Sequence, residues 1–231
     1  MALTGAGVSV PSGIPDFRSP GTGLWENVNP MEVAHIDAWR EDPERFWRFY
    51  GERFNALQSK EPNGAHEALA GLEARGLLDA VITQNIDTLH RRAGSREVIE
   101  VHGTIEHSSC LACGERQGLA EVRSRIEAAP DGVPRCGQGD PLKPDVVLFG
   151  ELLPAAELGR ARELAAGADL LLCVGSSLEV QPVASLPAVT LASGGAVAIV
   201  TQGPTPFDDV AAVRLEGDVE QELEALLAEL S

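Results

Sequence analysis

The stretch that most constrains this chain is Val81-Ile82-Thr83-Gln84-Asn85-Ile86-Asp87, with Val101-His102-Gly103 a short way downstream. A β-branched run such as Val81-Ile82-Thr83 predicts a short buried strand, and this one ends in amide and carboxylate groups. In open α/β sheets the carboxyl-terminal edge of the strands is where ligands bind. Gln84, Asn85 and Asp87 supply donors and acceptors suited to the hydroxyls of a sugar, and His102 can exchange a proton near neutral pH. The same residues also read as an ordinary strand end, with Asp87 capping the next helix and His102 a satisfied histidine. On this stretch alone the two readings are even.

The start of the chain shifts that balance. Met1-Ala2-Leu3-Thr4 reads as a strand running into Gly5-Ala6-Gly7-Val8-Ser9. Strand, glycines, then helix is the order in which backbone N–H groups and a helix amino-terminus hold a pyrophosphate. Val10 stands at the third glycine position of the G-x-G-x-x-G pattern and no second strand ends in an acid, so alone the signal is weak. Farther on, Lys143 to Glu151, Asp169 to Val174 and Ala196 to Val200 read as strands. Helices are predicted near Ala155 to Ala166, before Gly194 and over Val219 to Leu230. This alternation predicts an α/β fold: a Rossmann-type doubly wound parallel sheet whose strand ends at Gln84, Gly175 and Thr201 converge on one nucleotide site.

Two stretches lie outside that pattern. Pro43 opens a helix carrying Phe46, Trp47, Phe49, Tyr50, Phe54 and Leu57, a core or pocket-wall stripe on which Tyr50 and Arg53 share a face. A second helix, Glu67 to Arg75, is closed by Gly76, and His66 at its start reads as a core histidine. Residues 104–145 form an inserted module with Pro/Gly-rich edges that holds Cys110, Cys113 and Cys136. A C-x-x-C pair followed by a third cysteine in a chain without a secretion signal suggests zinc rather than disulfides. Cys173, in Leu170-Leu171-Leu172-Cys173-Val174, reads as a small hydrophobe.

Composition excludes several classes. A formal net charge of −17 disfavours nucleic acid and would attract a basic peptide. No run approaches the roughly 18 apolar residues of a membrane span, and no signal peptide is recognised, so a cytoplasmic location is expected.

Taken in order, Gly5 to Ser9 and Ile14-Pro15-Asp16-Phe17-Arg18, Thr83 to Asp87, Val101-His102-Gly103, Phe149-Gly150-Glu151 and Gly175-Ser176-Ser177-Leu178 resemble the sirtuins, NAD-dependent protein lysine deacylases, along nearly the whole chain. The resemblance implies a Rossmann-type domain of residues 1–20, 77–103 and 146–231, with a small inserted domain made of a helical module (21–76) and a zinc-ribbon-like module (104–145). It implies NAD on Gly5, Ala6, Gly7, Asp16, Phe17, Arg18, Gln84, Asn85, Asp87, Gly175, Ser176, Ser177, Thr201, Gln202, Asp218 and Val219. An acyl-lysine peptide is expected to pair as a strand between Val147, Phe149-Gly150-Glu151 and Glu179-Val180. The implied reaction releases nicotinamide, captures the ribose with the acyl oxygen as an alkylimidate, and uses His102 as general base on a ribose hydroxyl, yielding lysine and O-acyl-ADP-ribose. Tyr50 and Arg53, ahead of Lys60-Glu61-Pro62-Asn63, match the Tyr-x-x-Arg layout of members that prefer succinyl or malonyl lysine. A guanidinium and a phenol suit a carboxylate. If Arg53 instead pairs with Glu52 or Glu44 at the surface, only acetyl groups are expected.

Three departures from the family pattern stand out. Gln138 occupies the place of a fourth cysteine, so zinc on Cys110, Cys113 and Cys136 is completed by water or Asp140, bound weakly, or absent. Thr201 stands where sirtuins usually carry Asn, which predicts weaker NAD binding. The chain begins almost at the glycine loop, so the first strand is short and the sheet edge less protected. A monomer is expected. The competing readings are a non-catalytic NAD or ADP-ribose binding module and a protein ADP-ribosyltransferase using the same site.

Overall fold

The structure is a computed structural model that describes residues 1–16, 23 and 28–230, apart from the side chain of Asn55. Phe17 and Arg18 lie outside the described residues.

Six short strands form the main sheet: β1 (Ala2–Thr4), β2 (Val81–Thr83), β3 (Val98–Glu100), β7 (Leu170–Val174), β8 (Ala196–Val200) and β9 (Val213–Leu215). Their order is β3-β2-β1-β7-β8-β9, and every pairing is parallel. The chain runs outward from β1 to β3, then crosses back to β7 on the other side of β1. The carboxyl ends of β1 and β7 therefore meet at the topological switch point, where such sheets bind ligands. β1 is short, as expected, but it lies at the centre, bonded to both β2 and β7; the edges are β3 and β9. The expectation of a less protected edge at β1 does not hold.

Side-chain alternation explains how both faces are covered. Leu3, Ile82, Leu171, Cys173, Val197 and Ile199 point to one face. There they meet Ala161 and Ala165 of α7 (Ala155–Ala166) and Leu186 of α8 (Leu186–Ala192). Ala2, Val81, Leu172, Val174, Ala198 and Val200 point to the other face, against α4 (Gly64–Ala74) and α9 (Val219–Glu229). Strands buried on both faces read as continuous apolar runs, which is why Leu170–Val174 and Ala196–Val200 were recognisable. Burial pushes the Cys173 thiol up to about 12, as befits a packed hydrophobe. Although α4 falls within residues 21–76, it packs on the main sheet: Ala65, Ala68, Leu69 and Leu72 share a core with Ala2 and Val81. β9, only three residues with Arg214 at its middle, carries no periodic signal in the sequence.

A second, antiparallel sheet joins β4 (Gly103–Cys110), β5 (Arg116–Gly118) and β6 (Leu142–Val146) in the order β5-β4-β6. The strand predicted over Lys143 to Glu151 thus belongs to this sheet rather than the main one, and it ends at Val146. Its partners in the small-domain core are α2 (Ile36–Glu41) and α3 (Pro43–Gln58), with α6 (Leu119–Ala128) beside them. Asp42 caps α3 by accepting the Arg45 N–H at 2.9 Å, and Pro43 occupies the first helical position, where its missing N–H costs nothing. The indoles of Trp39 and Trp47 both donate to the Leu142 carbonyl, at 3.3 and 2.9 Å. Those two bonds fasten α2 and the aromatic stripe of α3 to β6. Among the described residues no helix is long and apolar enough to cross a membrane.

Candidate active site

The glycines of the two halves interlock at the switch point. Gly7 N–H donates to Gly175 O at 2.8 Å, and a Cβ built on Gly7 would lie 2.8 Å from the Gly175 backbone. Gly175 itself has φ +59, a conformation that favours glycine. No side chain fits there, so the crevice floor is bare backbone of the kind a pyrophosphate approaches. The helix expected after the glycines is a single 3-10 turn over Ala6–Ser9; Pro11 and Gly13, the latter at φ +76, end it before an α-helix can form. Ala6 and Gly7 are half-buried at this lip.

Around the floor the predicted residues come together. Gln84 Nε2 donates to Ser176 Oγ at 2.9 Å, joining the ends of β2 and β7. Asn85 Nδ2 donates to Gly5 O and to Ser9 Oγ, both at 3.1 Å. Ser9 Oγ in turn donates to Asp87 Oδ2 at 2.7 Å. Asp87 Oδ1 also accepts the Leu89 N–H at 3.0 Å, tying down the start of the next helix, although the N-cap position itself belongs to Thr88. Between them Thr88 holds φ 67, costly for a β-branched residue and of the kind concentrated at functional sites.

Behind this cluster lies a buried network that the sequence reading did not assign. Asn63 N–H points at His66 Nδ1 at 3.3 Å, which leaves His66 Nε2 to donate toward Ser9 Oγ at 3.4 Å. His90 Nε2 meets Thr4 Oγ1 at 2.9 Å, and Thr4 Oγ1 donates to Thr83 Oγ1 at 2.8 Å. The two imidazoles sit 4.8 Å apart. Burial lowers His66 to about 4, opposed by Asp87 and Glu220; burial and the neighbouring His66 lower His90 to about 3. His66 is the core histidine expected, and also a support for Ser9. The only sequence signal was its place three residues after Asn63, the capping-box spacing.

His102 follows β3 and is partly buried, with Nδ1 at 3.0 Å from Gln84 O. A carbonyl can only accept, so Nδ1 carries the proton and Nε2 presents a lone pair. Desolvation holds its pKa below the ordinary histidine value, partly offset by the Gln84 bond. Gly103, at φ +76 and packed against the Asp145 carbonyl, turns the chain directly from His102 into β4.

The remaining predicted residues are placed as follows. Thr201 is buried at the end of β8, its N–H on Leu215 O at 3.1 Å, and Gln202 is exposed beside it. Ser177 and Glu179 are exposed and Val180 half-buried after β7. Asp218 caps α9 by accepting the N–H groups of Glu220 and Gln221, and Val219 packs in the core with Val8. Asp16 is half-buried beyond the glycine loop. Val147 N–H donates to His102 O at 2.8 Å. Phe149 is engaged through both backbone groups: its N–H donates to Ala34 O and its C=O accepts Ile36 N–H, each at 2.9 Å.

Tyr50 is buried, stacked on Phe46 at 4.5 Å, and shares the small-domain core with Ile86, Ile105 and Leu148. Burial pushes its phenol up to about 12 against the pull of Arg53, so it stays a donor. Burial lowers the Arg53 guanidinium, opposed by Tyr50. Of the two surface partners considered for Arg53, Glu52 and Glu44, the latter is paired with Arg48 at 2.6 Å.

The ligand atoms of Cys110, Cys113 and Cys136 lie within 4.8 Å of one another. Tetrahedral zinc with Zn–S near 2.3 Å needs sulfurs about 3.8 Å apart, so the trio fits the ion. No aspartate, glutamate or histidine joins the group among the described residues, which leaves Asp140 out as a fourth ligand. Asp140 contributes its backbone instead, accepting Cys136 N–H at 2.8 Å. Glu115 pins the second turn by accepting Gly137 N–H at 2.8 Å, and that bond, with Gln117 and Arg125, holds its carboxyl down at about 2.

The sequence profile of the Sir2 family matches residues 5–182, from the glycine loop past Gly175-Ser176-Ser177. The chain belongs to the Sir2 family. It is 45% identical over 220 residues to the NAD-dependent protein deacetylase of Thermotoga maritima, covering 95% of this chain and 88% of that one. A Sir2 structure holding a deacetylated p53 peptide and 3'-O-acetyl-ADP-ribose superposes with a TM-score of 0.93 at 43% identity, covering 99% of this chain and 92% of that one. A Sir2Tm structure bound to a propionylated peptide superposes with a TM-score of 0.89 at 42% identity, covering 99% and 91%. The Rossmann-type sheet with a smaller cysteine-bearing sheet is the fold of this family.

Proposed function

We propose that this Sir2-family chain is an NAD-dependent protein lysine deacylase that transfers the acyl group to ADP-ribose and releases nicotinamide. The single observation that carries the reading is the setting of His102: Nδ1 lies 3.0 Å from Gln84 O, which leaves Nε2 as the ring's acceptor, and the Gln84 side chain bonds Ser176 next to the interlocked Gly7 and Gly175. A binding module has no use for a base there.

NAD, when bound, supplies an electrophilic ribose carbon. The chain's own residues orient and deprotonate. Gly5, Ala6, Gly7, Gly175, Ser176 and Ser177 offer backbone and hydroxyl groups to the phosphates, and Asn85 and Asp87, locked by Ser9, face the nicotinamide ribose. Thr201, Gln202 and the start of α9 suit the adenosine end. His102 Nε2 then takes the proton of a ribose hydroxyl. The acyl-lysine peptide lies along Val147 to Gly150 and Glu179-Val180. Tyr50 and Arg53 favour a succinyl or malonyl carboxylate in addition to acetyl, because one is a protonated phenol and the other a half-buried cation. Cys110, Cys113 and Cys136 would hold one structural zinc, with water in the fourth position.

The test is incubation with NAD and matched acetyl-lysine and succinyl-lysine peptides, reading nicotinamide and the mass of the second product. O-acyl-ADP-ribose is the expected product. ADP-ribose attached to protein would support the transferase reading, and no turnover the binding module.

A further inference from the structure

Lys143 on β6 is a buried cation, 7% exposed, that lies outside the crevice. Its Nζ donates to Pro144 O at 3.0 Å and Val146 O at 2.8 Å and forms an ion pair with Glu151 Oε2 at 2.8 Å. Three donors meet three acceptors, so the ammonium is fully satisfied. Glu151 Oε2 also accepts Leu148 N–H at 2.9 Å, and Glu151 N–H donates to Leu148 O at 3.1 Å. The turn 148–151 is therefore closed on itself and fastened to β6 by one charge pair.

That turn is held at two other points. Val147 N–H donates to the carbonyl of His102, and Phe149 bridges to residues 34–36. Only Phe149 and Gly150 are exposed along it. The carboxylate of Glu151 is occupied within the chain, so it shapes the loop rather than presenting itself to a ligand.

We propose that Lys143 is a positioning residue for the acyl-lysine peptide: through Glu151 it sets the backbone of Val147 to Gly150 against which the peptide lies. This rests on the deacylase reading. The pair bonds none of Gly5, Gly7 and Gly175 directly; the turn reaches the crevice only through Val147 N–H on His102 O, so its loss is expected to fall on peptide binding before NAD binding. Removing one member of a buried pair leaves the other charge uncompensated, and the turn it closed loses its fixed shape.

The experiment varies peptide at saturating NAD, and NAD at saturating peptide, for the wild type and for Lys143→Met, Lys143→Arg, Glu151→Gln and the Lys143→Met/Glu151→Gln double variant. Thermal melts on each preparation establish folding. Lys143→Met is expected to raise KM for acetyl-lysine peptide about tenfold while KM for NAD stays within about twofold. Lys143→Arg restores most of the loss, and the double variant is no worse than Lys143→Met alone, because the two residues act as one unit. Should Lys143→Met fail to fold, Glu151→Gln, which keeps an acceptor for Leu148 N–H, reads the same shift. An unchanged peptide KM in a folded variant overturns the proposal, as do equal rises in both KM values or an Arg variant no better than Met. A wild type that turns over no acyl-lysine peptide overturns the deacylase reading instead, and this inference with it.

Discussion

Ser9 Oγ donates to Asp87 Oδ2 at 2.7 Å while accepting from Asn85 Nδ2 at 3.1 Å. One buried hydroxyl thus joins the glycine loop after β1 to the polar motif after β2, and fixes both side chains expected to face the ribose.

Ser9→Ala leaves Asp87 Oδ2 and Asn85 Nδ2 without that partner in a buried site. An unmade bond of this kind costs on the order of 1–3 kcal/mol, so kcat/KM with an acetyl-lysine peptide should fall about ten- to a hundredfold in a chain that still melts cooperatively. A change under about twofold would mean that Ser9 does not organise the site.

The fold was legible where burial writes a simple pattern. Leu170–Val174 and Ala196–Val200 are covered on both faces and read as apolar runs, and Pro43 and Gly76 punctuate helices by their backbone chemistry. β9 was not, because three half-exposed residues carry no period. The candidate site was legible at Gln84, Asn85, Asp87 and His102, which sit at strand ends. The Ser9–His66 and Thr4–His90 contacts were not, since each joins residues distant in sequence. Sequence spacing reports neighbours on one element, not across a sheet.

Stability should depend on acid through His66 and His90. Both are held below the ordinary value of 6.5, at about 4 and about 3, so they stay neutral in the folded chain while the unfolded chain takes up protons. The unfolded form binds more protons across that interval, so this contribution is complete above about pH 6.5 and is lost as pH falls toward 4 and 3. Urea midpoints measured from about pH 7.5 down to about pH 4.5 should fall, and less steeply in His90→Gln. Identical slopes in the two proteins would rule out the buried histidines as the cause.

The three-thiolate group should bind one zinc but release it more readily than a closed site. Converting Gln138→Cys offers a fourth thiolate, and zinc loss to a chelator should slow about tenfold or more, with a higher melting temperature in the metal-loaded form. Zinc retained equally by both proteins would show that the wild-type site is already closed.

Arg53→Met should separate the acyl classes. Removing the half-buried guanidinium is expected to lower succinyl-lysine kcat/KM relative to acetyl-lysine by about tenfold or more. Equal losses on both peptides would return Tyr50 and Arg53 to a packing role in the small-domain core.

The most direct measurement compares wild type with His102→Ala for NAD affinity and for O-acyl-ADP-ribose formation on one preparation. If His102 is the base, NAD affinity stays within a few-fold while product formation falls about 10²- to 10⁴-fold, and the wild-type rate falls in acid only below the ordinary histidine range, because burial lowers the imidazole. A His102→Ala protein that forms product at near wild-type rate would contradict the account.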